Sequence, residues 1–95
     1  MNQQTKTTEQ ILMERGERYG VFKGHADVSQ DLKDVVRDAC EARGKWLASD
    51  QKEALEMICH KMARIINGDA NYADSWDDIA GYAKLVADRL NGVDR

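Results

Sequence analysis

Apolar residues along this chain recur at helical spacing in one short and three longer stretches, with no alternation of the kind a strand would show. Thr7 and Gln10 have the spacing of a capping box ahead of Ile11 and Leu12, which predicts a short first helix. Within residues 15–24 the period breaks at Gly16, Gly20 and Gly24, while Tyr19 and Phe22 supply aromatic anchors, so a shaped loop is expected. From about Asp27, the run Val28, Leu32, Val35, Val36, Ala39 and Cys40 predicts a second helix closed by Gly44. Ser49 or Asp50 can cap a third, whose core stripe is Leu55, Ile58, Met62 and Ile65 and which stops at Asn67 and Gly68. A loop over 67–73 then leads to a fourth helix, capped by Asp74 and ending at Asn91 and Gly92.

These elements describe an all-α fold: an antiparallel helical bundle in one domain over 7–95, with 1–6 frayed. The last helix is apolar on two sides. At 100° per residue Trp76, Ile79, Ala83, Val86 and Leu90 form one stripe, and Asp74, Asp78, Gly81 and Leu85 form another nearly opposite. Three helices can cover only the first, so the second is expected to meet either the first helix or another chain. The second possibility predicts a homo-oligomer, most simply a homodimer.

Composition narrows the function. The chain of 95 residues carries 14 basic and 17 acidic side chains, a net charge of −3, with no basic cluster interleaved with aromatics, which argues against nucleic-acid binding. Cys40 and Cys59 lack metal-ligand spacing and read as reduced core thiols. No apolar run reaches the roughly 20 residues of a membrane span, and the polar start lacks the apolar core of a signal peptide, so a cytoplasmic location is expected.

The candidate chemistry lies on the last two helices. Glu53 and Glu56, then His60, Lys61 and Arg64, occupy the third, while Asp74, Asp77 and Asp78 open the fourth. In an antiparallel pair the end bearing Lys61 and Arg64 lies close to the acidic start of the next helix. One reading is a Mg²⁺ site with oxygen ligands from both helices and Lys61 and Arg64 neutralising a triphosphate. The other is an ion-pair network that docks the two helices, with acids favoured by the helix dipole. Arg15 and Arg18 could hold phosphate while Tyr19 stacks on a base, or Tyr19 and Phe22 could plug the end of the bundle. His60 reads as a solvated or hydrogen-bonded residue, His25 as a phosphate contact or a turn residue, and Trp46 as a cap on the bundle end.

Arg15, Arg18, Tyr19 and Gly20 before one helix, Lys61 and Arg64 late in another, and Asp74, Asp78, Ile79, Ala80, Gly81 and Tyr82 opening the last resemble small phage and prophage proteins related to the MazG-type all-α nucleoside triphosphate pyrophosphatases. That resemblance spans about residues 10–90. It implies that an ExxE on one helix and an ExxD on the next hold Mg²⁺ or Mn²⁺ while a nucleoside triphosphate is split into monophosphate and pyrophosphate. Glu53 and Glu56 match the first motif. In the second, Ser75 stands where Glu would precede Asp78, with Asp74 one position away as a substitute. The implied metal ligands are therefore Glu53, Glu56, Asp74 and Asp78, with Glu56 and Asp78 catalytic and Arg15, Arg18, Tyr19, Lys61 and Arg64 holding the nucleotide. The other class is a non-enzymatic phage accessory protein that sequesters a nucleotide or binds a host protein.

Overall fold

The computed structural model describes residues 5–95, so most of the expected frayed segment lies outside the described residues. Four helices and no strand occur in it: α1 (Thr8–Tyr19), α2 (Phe22–Ala42), α3 (Ser49–Asn67) and α4 (Ala73–Leu90). The all-α expectation of one short and three longer helices holds. Thr7 caps α1 as its spacing predicts: its Oγ1 accepts from the Gln10 N–H while the Gln10 side chain accepts from the Thr7 N–H.

The helix boundaries depart from the sequence reading in three places. Residues 15–24 are not a loop, because α1 continues through Gly16 to Tyr19 and α2 begins at Phe22. Only Gly20, at φ 77° and ψ −166°, and Val21 break the path. A helix tolerates glycine at roughly 1 kcal/mol against alanine, so the glycines at 16 and 24 do not end one. Neither Ser49 nor Asp50 caps α3; Ala48 precedes it, and the Gln51 side chain satisfies the Ala48 N–H. Asp74 likewise lies inside the first turn of α4, after Tyr72.

α3 is the centre of the fold, with α2 packed on one side and α4 on the other, and α2 and α4 do not pack on each other. The Arg89 guanidinium donates two bonds to Asp50, at 2.7 and 2.6 Å, fixing the antiparallel register of α3 and α4. A central helix has two covered faces, which a single-stripe reading misses. His60, read as a solvated or hydrogen-bonded residue, and Arg64 lie where α3 meets α2 and the end of α1. The face of α4 that meets α3 runs through Ser75, Ile79, Tyr82 and Val86, offset from the predicted stripe. Trp76, at the head of that stripe, is 55% exposed, and Trp46, expected to cap the bundle, is 94% exposed.

α1 reaches α2 and α3 but not α4. Its C-terminal end is locked to the loop after α3 by Asn67, whose Nδ2 donates to the carbonyls of Tyr19 (2.8 Å) and Val21 (2.9 Å). The Asp69 N–H donates to the Arg18 carbonyl at 2.6 Å beside them. A Cβ on Gly68 would overlap the backbone of Arg18 and Tyr19, so glycine is needed for this approach. Asn67→Ala is expected to lower stability by about 2 kcal/mol, two net hydrogen bonds, read from the urea midpoint. An unchanged midpoint would show that the lock is not formed in solution.

Candidate functional site

Because α1 ends at the loop between α3 and α4, side chains far apart in sequence meet there. Arg64, on the last turn of α3, places its guanidinium 4.1 Å from the centre of the Tyr19 ring. Arg18 does the same to Tyr72, at 4.2 Å, and the two tyrosine rings meet edge to face at 6.2 Å. The Tyr72 hydroxyl donates to Asp74 Oδ2 at 2.7 Å, and that bond, made in the protonated form, raises the Tyr72 pKa. One turn of α3 before Arg64, Lys61 pairs with Asp78 Oδ2 at 2.9 Å. The Lys61 side chain is 12% exposed and Asp78 47%, so the carboxylate is the partner open to solvent.

Arg18, Tyr19, Lys61, Arg64, Asp74 and Asp78 are thus linked pair by pair at one end of the layer. Arg15 is exposed one turn earlier on α1. Glu53 and Glu56 stay apart from this group: Glu53 lies two turns before Lys61, roughly 12 Å along the axis, in a groove with Tyr82, Leu85 and Arg89. Glu56 lines a different cleft, with Lys33, Lys52 and Trp46. Among the described residues no group of three or more His, Cys, Asp or Glu side chains is drawn together as a metal cage requires. Asp74 and Asp78, one turn apart and exposed, each retain carboxylate oxygen capacity beyond the bonds above. Two carboxylates with waters and substrate phosphates satisfy Mg²⁺, so this pair fits the implied ion while the two glutamates do not join it.

Behind Arg64, α2 and α3 enclose a histidine pair. The rings of His25 and His60 meet edge to face with centroids 4.5 Å apart, and Ser29 is buried one turn along α2. Burial lowers the pKa of both histidines, and the positive charges of Arg64, Lys33 and Lys61 add to it; His60 falls to about 4, with His25 contributing after burial. His25 Nδ1 and Ser29 Oγ are buried without a hydrogen-bond partner. Tyr72 and Asn67 were not among the expected site residues, and the two histidines were read singly rather than as a pair. Their signal in the sequence was faint: each histidine precedes further α3-facing or basic positions at three- and four-residue spacing, visible only once α3 is known to be central.

Cys59 is buried and Cys40 half-buried; both are free thiols, and burial raises the pKa of Cys59. No helix is long and apolar enough to cross a membrane among the described residues. Comparison with protein-family models, curated proteins and solved structures yields no match.

Proposed function

We propose that the protein binds a nucleotide polyphosphate at the end formed by Tyr19, Tyr72, Arg18 and Arg64, and acts as a Mg²⁺-dependent nucleoside triphosphate pyrophosphohydrolase. The observation that carries this reading is the meeting of α1 residues Arg18 and Tyr19 with Lys61 and Arg64 of α3 and with Asp74 and Asp78 of α4. Guanidinium groups bind phosphate through paired N–H donors, and tyrosine rings present faces on which a base stacks. Lys61 and Arg64 bring positive charge to the place where a departing pyrophosphate would gain negative charge. Asp74 and Asp78 would carry Mg²⁺ or Mn²⁺, which supplies Lewis acidity towards the phosphoryl oxygens.

A panel of nucleotides with Mg²⁺ or Mn²⁺, read by pyrophosphate release, tests the activity. Asp78→Asn is expected to reduce turnover at least tenfold, while Asp77→Asn leaves it within about twofold, since a lost transition-state contact of about 1.4 kcal/mol is a factor of ten. A thermal melt run with and without Mg²⁺ separates the alternative. If Asp78→Asn lowers the melting temperature and changes neither metal response nor nucleotide binding, the carboxylate serves only to neutralise buried Lys61.

The second reading is a non-enzymatic accessory protein on the same scaffold, holding a nucleotide or a host protein. The position of Glu53 and Glu56, away from Asp74 and Asp78, favours it. Nucleotide binding without pyrophosphate release, in every metal condition, would establish it over the enzyme.

A further inference from the structure

A single chain leaves too much surface uncovered. Its accessible area is 7358 Å², against about 5,500 Å² for a compact monomer of 10.7 kDa. Its radius of gyration is 16.3 Å, where about 12 Å is usual for this length. Among the described residues the buried apolar set is Ala54, Cys59 and Ala63, and no large side chain is fully buried. The excess of about 1,800 Å² exceeds the roughly 800 Å² that each partner contributes to a standard interface.

Part of the uncovered apolar area forms a continuous stripe on one side of the helix layer. On α4, Trp76, Ala80, Ala83, Ala87 and Leu90 follow each other at spacings of four and three and are all exposed. They lie about 100° from the face that meets α3. The groove joining Glu53 to Leu85, and the pair Lys61–Asp78, put the Asp78, Gly81 and Leu85 stripe on the opposite side of the layer. The Trp76–Leu90 stripe therefore lies beside the exposed α3 residues Leu55, Met62 and Ile66, which share the other flank of α3. None of these exposed residues of α4 and α3 is charged. Small residues at three- and four-residue spacing, bounded by Trp76 and Leu90, let a second helix approach closely.

We propose that a second copy of this chain covers this face, α4 against α4 in antiparallel orientation. The uncovered area, larger than one side of a standard interface, and the symmetry of the stripe select the copy: Trp76 and Leu90 each stand seven residues from Ala83, so under a two-fold axis each end of the stripe meets the opposite end of an identical one. The homodimer expected from the sequence thus forms on the alanine face, whereas the Asp78 and Leu85 side stays open beside the candidate site.

Sedimentation of the whole chain at tens of micromolar is expected to give a dimer. Ala83→Glu should give a monomer and Leu85→Glu a dimer. Since Ala83→Glu could unfold a chain that depends on its partner, a second measurement uses wild-type contacts only. With Trp46→Phe, Trp76 becomes the single tryptophan, and in the dimer its fluorescence should resist acrylamide quenching although the ring is 55% exposed in one chain. A wild-type monomer with freely quenched Trp76 overturns the proposal. So does a dimer that Leu85→Glu dissociates and Ala83→Glu does not.

Discussion

Gly20→Ala is expected to lower the melting temperature by about 15 °C or more. Gly20 stands at φ 77° and ψ −166°, a backbone region almost confined to glycine. Its position is also crowded: an added Cβ would overlap the Asn67 backbone carbonyl, and Asn67 is the residue whose side chain ties Tyr19 and Val21 to α3. Strain and overlap together cost on the order of 3 kcal/mol, a large share of the 5–15 kcal/mol that holds a small domain folded. The neighbouring control is Gly16→Ala, inside α1 with no atom within 4 Å of the added carbon. It is expected to stabilise by up to about 1 kcal/mol. Equal melting temperatures for the two variants would show that the α1–α2 junction does not dock as described.

Acidification should weaken the fold over a window set by the histidine pair. His25 and His60 are held neutral in the folded state, below the ordinary 6.5, and His60 lies at about 4. Protons therefore bind the unfolded chain first. The contribution is complete above pH 6.5 and is lost as pH falls from there through about 4. For His60 it amounts to about 2 kcal/mol after allowance for solvent screening. The charges facing the pair are Lys33 from α2 and Lys61 and Arg64 from α3, all cations, so nothing there compensates a new positive charge. Asp50 and Asp88, whose pKa values are lowered by Arg89 and by Lys84 with Arg95, lose their contributions only below the usual carboxylate value near 3.8. Urea melts between pH 7 and 5 consequently isolate the histidines. His60→Phe should flatten the stability profile in that range, and a profile unchanged from wild type would refute the assignment.

Helix number, helix type and most termini were legible in the sequence, because they depend on local rules. Thr7 with Gln10, Gly44, Asn67 with Gly68, and Asn91 with Gly92 each mark a helix end through bonds made within a few residues. The charge meeting of Lys61 with Asp78 was legible too, since an antiparallel hairpin with a short loop forces it. Tertiary structure decided the rest. Gly16 and Gly24 signalled a loop locally, yet docking of α1 on Asn67 and Gly68 makes two helices with a two-residue break. Helical periodicity identifies an apolar stripe but not the element that covers it. For that reason the sequence could name Trp76, Ile79, Ala83, Val86 and Leu90 as the buried face of α4, while the fold turns that face so that Ile79 and Val86 pack on α3 beside Ser75 and Tyr82 and Trp76, Ala83 and Leu90 stay exposed. The same reason hid the histidine pair: whether His60 faces water or His25 depends on α3 being flanked on both sides, a property of the assembled layer that no single helix encodes.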